Sequence, residues 1–222
     1  MNYVNCNKED LEKEYAALVA EYEEVKGKGL KLNMARGKPG EDQLNLSRPL
    51  LDVINSSTDC ITAHGADCRN YGELAGIDEC KNFFAEIFDV DPSDVMVGGN
   101  SSLNMMFDTI AGFMTKPVVE GCKPWYEVKN RKFLCPAPGY DRHFAITEYF
   151  DFDLIPVPMT ENGPDMDVVE KLVENDDSIK GIWCVPKYSN PLGVTFSDET
   201  VKRFAALKPA AKDFRIMWDN AY

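Results

Sequence analysis

The sequence predicts an α/β fold built on a mostly parallel sheet, and three observations carry that prediction. Short β-rich runs alternate with helical patterns of about ten to fifteen residues, as βαβ units do. The helical patterns keep apolar stripes at helical spacing, and several begin at good N-capping residues. Four of five strand candidates run directly into turns rich in Gly, Pro, Asn or Asp, the place where open α/β sheets gather ligands.

Taken in chain order, Leu11, Tyr15, Leu18, Tyr22 and Val25 recur at spacings of four, three, four and three, with Asn7 placed to cap and Gly27 and Gly29 to stop. They predict an amphipathic helix over 8–26 with an acidic outer face. Residues 30–46 carry Arg36-Gly37-Lys38-Pro39-Gly40 with no sustained period, so they read as an arm crossing between parts of the protein. A soft domain boundary is placed near Ser47. Beyond it, helices are predicted over 76–88, 103–114, 166–174 and 198–207, the last two after Asp165 and Ser197. Strands are predicted at 95–97, 132–135, 153–157, 181–185 and 214–218.

Composition narrows the function. The 222 residues, 44% of them apolar, can bury one substantial core. Against 37 Asp and Glu stand 24 Lys and Arg, a net charge of −13. That balance disfavours nucleic acid, whose binding needs a basic face. No signal peptide and no run of ~18 apolar residues is read, so no membrane span is expected. Seven cysteines without a Cys-x-x-Cys pair point to a reducing, cytoplasmic compartment. Neither His64 nor His143 sits in a metal spacing, and both are read as surface or loop residues, with no metal site.

The strand ends hold the candidate chemistry. Val95-Met96-Val97 runs into Gly98-Gly99-Asn100-Ser101-Ser102 and a helix, a turn whose backbone N–H groups can cradle a phosphate. It is neither a P-loop nor a dinucleotide fingerprint, which removes the usual support for ATP and NAD. The bland alternative is a glycine turn with Ser102 capping a core helix. Phe214 to Trp218 ends in Asp219, a carboxylate that needs a positive or hydrogen-bonding partner there; a helix N-cap is the plain alternative. Asn190, between Ser189 and Pro191, reads equally as a turn residue, and Tyr140 as a half-buried aromatic. Lys187 reads as a solvated surface lysine. Together, these four strand ends would line one crevice.

Tyr71-Gly72-x-x-x-Gly76, the Gly98–Ser102 turn, Pro138-Gly139-Tyr140, Asn190-Pro191-x-Gly193 and Asp219-x-Ala221-Tyr222, in this order and approximate spacing, resemble fold-type I aminotransferases of the class I/II group, which use pyridoxal phosphate. Arg36-Gly37-Lys38-Pro39 and Gly98 through Asn104 look more narrowly like the branch of aspartate aminotransferases related to the aminotransferase domain of MocR-type regulators. The resemblance covers nearly the whole chain. It implies a large cofactor-binding domain over 47–222, its sheet incomplete within these residues, with 1–46 forming a helix and arm that belong to a small domain.

The resemblance also implies roles. Asp219 would face the pyridine nitrogen of the cofactor, keep it protonated and preserve the ring as an electron sink. Asn190 and Tyr222 would hydrogen-bond the phenolic oxygen, and Tyr140 would stack on the ring. Gly99, Asn100 and Ser101 would hold the phosphate, with Tyr71 reaching the phosphate of the other subunit of a homodimer. Gly37 would lie near the substrate carboxylate. The reaction implied is amino transfer between an amino acid, aspartate or glutamate, and a 2-oxo acid. The family's Schiff-base lysine and carboxylate-binding arginines are expected beyond Tyr222, so these residues alone are expected to be an inactive N-terminal part. A ligand-sensing MocR-like regulatory domain is the alternative from a different class, although residues 1–26 leave no room for a winged helix. A decarboxylase or lyase on the same scaffold is the third reading.

Overall fold

The computed structural model of the chain describes residues 3–33 and 37–222. Arg36 of the Arg36–Pro39 motif lies outside the described residues. The chain divides into two compact units, Met1–Ile61 and Thr62–Tyr222, and the boundary read near Ser47 falls within the first of them.

In the first unit, helix α1 (Lys8–Gly27) starts where Asn7 predicts, because the Asn7 side chain accepts a hydrogen bond from the Asp10 backbone N–H at 2.9 Å. Its outer face carries i,i+4 pairs such as Lys13–Glu9 at 3.0 Å and Lys28–Glu24 at 3.0 Å, which add little at full exposure. The stripe from Leu11 to Val25 is exposed in this chain. A short helix α2 (Glu41–Leu46) follows, where the sequence lacks a sustained period; the Gln43 side chain closes it by accepting from the Gly40 N–H at 2.7 Å.

The second unit carries α3 (Asp78–Phe88), α4 (Ser102–Thr115), β1 (Lys132–Ala137), α5 (Asp141–Tyr149), β2 (Asp153–Thr160), β3 (Gly163–Pro164), α6 (Met166–Asn175), β4 (Ile179–Cys184), α7 (Asp198–Ala206) and β5 (Arg215–Trp218). The sheet order is β3-β2-β1-β4-β5, with β1, β2, β4 and β5 parallel and the two-residue β3 antiparallel. The α/β class and the mostly parallel sheet therefore stand. Residues 95–97 are not a strand. Beyond a local turn bond from the Val95 N–H to the Pro92 carbonyl at 3.2 Å, the Val97 N–H donates to the Ala75 carbonyl at 2.8 Å, and the close approach there depends on Gly76, at φ +96°, whose absent Cβ would sit 2.6 Å from Val97 Cβ.

Period-two alternation distributes the strands between two cores. Phe133 and Cys135 of β1 and Trp183 of β4 pack with Ile110, Trp125 and Ile146 on the side of α4 and α5. Leu134, Ile182 and Cys184 pack with Val169, Val173 and Phe204 on the side of α6 and α7. Each fully buried apolar side chain contributes ~1.5–3 kcal/mol, so covering both faces is what makes a nearly wholly buried β4 favourable. Its one charge, Lys180, is buried against Asp213 at 2.8 Å, and Asp213 also accepts from Trp125 Nε1 at 2.9 Å. The pair fixes the approach to β5 while leaving no buried charge alone.

Two outcomes follow from this packing. Gly181 sits where β4 passes between β1 and β5, and a Cβ there would lie 2.5 Å from Phe133 Cζ and 2.7 Å from the Arg215 carbonyl oxygen. Gly181→Ala should cost ~1–3 kcal/mol of stability by overpacking, measured by chemical denaturation. At the start of β1, Lys132 Nζ donates to Asp176 Oδ2 at 2.7 Å and the Ser178 N–H to Oδ1 at 2.9 Å. The Lys132 ammonium first, then Ser178, hold the Asp176 carboxyl at about 2 against an ordinary 3.8. A depressed carboxyl pKa stabilises the fold above the ordinary value and stops doing so as pH falls through the folded one. The stability difference between wild type and Asp176→Asn, followed by urea unfolding, should hold from neutral pH down to 3.8 and shrink as pH falls toward 2.

Candidate active site

A cleft of about 370 Å³ opens at the carboxyl ends of the parallel strands, lined by Asn100, Ser101, Ser102, Leu103, Tyr140, Val185, Asn190, Asp219, Ala221 and Tyr222. All of these residues belong to the second unit. Four segments deliver them: the turn into α4, the turn between β1 and α5, the loop after β4, and the end of β5. The sequence expectation that the four strand-end motifs share one crevice thus matches the geometry, including that of 95–97, which reaches the cleft without being a strand.

Ser101, rather than Ser102, caps α4, its hydroxyl accepting from the Asn104 N–H at 3.4 Å. The first N–H groups of a helix have no intrahelical partner, and together with the hydroxyls of Ser101 and Ser102 they form an anion-seeking corner of the cleft. Tyr140 is half-buried and precedes α5 directly. Its turn and that of Asn190 both contain a cis X–Pro bond, Ala137–Pro138 and Asn190–Pro191.

Asp219 finds the partner its position requires. Its Oδ2 lies 2.9 Å from His143 Nε2, the His143 side chain only 1% exposed and that of Asp219 13%. A carboxylate can only accept, which assigns the proton to Nε2. The Asp219 backbone is fixed as well, its N–H donating to the Cys184 carbonyl at 2.8 Å. His143 is therefore neither a surface nor a loop residue, as the sequence reading had it. It lies in the first turn of α5, a helix whose weak apolar period, Asp141 through Tyr149, gives little sequence signal. The available clue was chemical: Asp219 needs a hydrogen-bonding partner, and the chain has two histidines. His64 does lie exposed, 3.2 Å from Asp78.

The remaining expected residues are placed as follows. Gly99 precedes the lining residues in the same turn. Tyr71 is 96% exposed and borders a separate depression with Gly72 and Gly76. Gly37 lies in the first unit. Lys187 is exposed on the loop after β4. Burial pushes the Cys135 thiol up to about 12, and the Cys184 thiol up as well, so neither offers a thiolate nucleophile at neutral pH. Among the described residues no cluster of three or more His, Cys, Asp or Glu could hold a metal ion, and no helix is long and apolar enough to cross a membrane.

Removing His143 leaves a largely buried carboxylate without its partner. A double-mutant cycle of His143→Ala and Asp219→Ala, read by chemical denaturation, should give a coupling energy of ~1–3 kcal/mol.

Comparison with known proteins places the chain as a whole. The family model described as aspartate amino-transferase matches residues 6–222. An aspartate aminotransferase of Corynebacterium glutamicum is 46% identical over 201 residues, covering 90% of this chain and 46% of that protein. A protein of Mycolicibacterium smegmatis carrying an aminotransferase name is 45% identical over all of this chain and 52% of its own length. The crystal structure of an aspartate transaminase from Corynebacterium glutamicum superposes with a TM-score of 0.87 at 42% identity, over 98% of this chain and 51% of that one. The chain spans about half the length of the curated relatives it matches. With a family model matched over nearly its whole length and relatives above 40% identity, the chain belongs to the aspartate aminotransferase family.

Proposed function

We propose that the protein carrying this chain is an aminotransferase that uses pyridoxal phosphate to move an amino group between an amino acid and a 2-oxo acid. The observation that carries this reading is the convergence of Ser101, Tyr140, Asn190, Asp219 and Tyr222 on one cleft, with Asp219 braced by buried His143. The donor set suits a flat, phosphorylated, nitrogen-containing ring. The N-terminus of α4 with Ser101 and Ser102 suits a phosphate; Tyr140 offers a ring face; Asp219 suits a protonated ring nitrogen. Asn190 and Tyr222 supply an amide and a phenol for a ring oxygen.

When bound, such a cofactor supplies an electron sink for charge developing at the substrate α-carbon. The chain's own residues bind and orient it. Asp219 would face the ring nitrogen and hold a proton there, and His143, donating from Nε2, aims that carboxylate. Asn100, Ser101 and Ser102 anchor the phosphate and so fix how far along the cleft the ring lies. Tyr140 and Val185, which line the cleft, would shield a bound ring from water.

Aspartate or glutamate is the amino donor we propose, on the strength of family membership and the 46% identity to the named aspartate aminotransferase. The exposure of Tyr71 supports a role across a homodimer interface, and Gly37 is assigned to the substrate carboxylate side. In the full-length protein, Asp219→Ala should lower transamination turnover by at least ~10³-fold, with aspartate preferred over alanine and aromatic amino acids in steady-state assays. Near-normal turnover of the variant would remove Asp219 from its assigned role, and preference for an apolar donor would overturn the substrate assignment.

A further inference from the structure

We propose that Trp183 is a positioning residue: it fixes the ring of His143, and through that ring the direction in which Asp219 faces the cleft. The proposal rests on the cofactor reading above only for its consequence at the cofactor. The contacts that carry it lie entirely within the second unit.

Trp183 belongs to β4 and His143 to α5, and their rings stack with centroids 4.8 Å apart and planes 19° from parallel. Tyr140 meets the imidazole with its edge, at 5.0 Å and 90°. The indole is itself tied down. Its Nε1 donates to Thr147 Oγ1 at 3.2 Å, and Thr147, wholly buried, lies one helical turn after His143 on the same α5. Core packing alone needs only apolar bulk at position 183. A ring laid face to face on the imidazole, with its single polar atom hydrogen-bonded to the helix that carries the imidazole, does more. It holds the plane of the His143 ring against rotation about the Cβ–Cγ bond, and within that plane the hydrogen bond to Oδ2 of Asp219 places Nε2 rather than a ring carbon there.

The neighbouring residue completes the arrangement. Cys184, next along β4, accepts the Asp219 backbone N–H through its carbonyl at 2.8 Å. One strand therefore sets both members of the pair, the imidazole by its side chain and the carboxylate by its main chain. Trp183 is not among the residues lining the cleft; it borders a smaller neighbouring cavity with Tyr140, His143 and Asn190, and it reaches Asp219 through His143.

The test is ¹⁵N-histidine NMR on the full-length protein without cofactor, the His143 signal assigned by its loss in His143→Gln. Wild type should show one tautomer, protonated at Nε2, with slow exchange of that proton. Trp183→Leu should mix the tautomers and speed the exchange ~5-fold, the scale of one lost aromatic pair, whereas Trp183→Phe, which can still stack, should stay close to wild type. Thr147→Val, which keeps the indole but cuts its tether, should shift the signal in the same direction by less. A folded Trp183→Leu protein with the wild-type tautomer and exchange rate would overturn the proposal; should that variant not fold, an unchanged His143 signal in Thr147→Val would do so. Because the measurement is made without cofactor, failure of pyridoxal phosphate to bind the wild type would sink the reading of the cleft and leave the His143 result standing.

Discussion

The 2.9 Å hydrogen bond between His143 Nε2 and Asp219 Oδ2 joins the first turn of α5 to the end of β5, two segments 76 residues apart in the chain. A carboxylate at the end of an apolar strand loses solvation that it must recover from the protein, and a buried imidazole is the group that restores it here. Everything else at the cleft is arranged around that requirement. β4 lies between β1 and β5 so that Trp183 can reach His143 while Cys184 holds the Asp219 main chain, and the Tyr140 ring meets the imidazole at right angles.

The sheet can support such a pair because both of its faces are covered. Strand alternation sends Phe133, Cys135 and Trp183 to one core and Leu134, Ile182 and Cys184 to the other. The buried Lys180–Asp213–Trp125 cluster then fixes the chain just before β5. Such clusters are weak evidence of stability, but this one limits how β5 can enter the sheet and so where Asp219 emerges. Rigid strands carry the ends, while glycine and proline turns carry the polar groups, the division of labour usual where a scaffold holds a binding site.

Much of this was legible in the sequence, for physical reasons. Helices α4, α6 and α7 bury one stripe each, and α3 keeps an apolar period although only Ala85 is buried, so the period is legible in the residues, and Asn7, Asp165 and Ser197 cap where their side chains suggest. Strands β1 and β4 are buried, β2 and β5 only partly so, and all four are β-rich and readable as strands. The cleft residues Ser101, Tyr140, Asn190, Asp219 and Tyr222 were visible because turn chemistry follows strand ends. What stayed hidden lacks local signature. Helix α5 has little amphipathic period and no side-chain cap, and β3 is two residues long. Residues 95–97 have the composition of a strand but only one backbone bond to Ala75. His143 and Trp183 matter through contacts made across the fold, which no spacing along the chain records.

The central claim is that one cleft at the strand ends orients a phosphorylated pyridine by its two extremities. A crystal structure of the full-length protein with pyridoxal phosphate tests this most directly. The account predicts the ring nitrogen within hydrogen-bonding distance of Asp219, itself still paired with His143, and the phosphate at the N-terminus of α4 against Ser101. A cofactor bound with its phosphate elsewhere, or with its ring nitrogen turned away from Asp219, would contradict it.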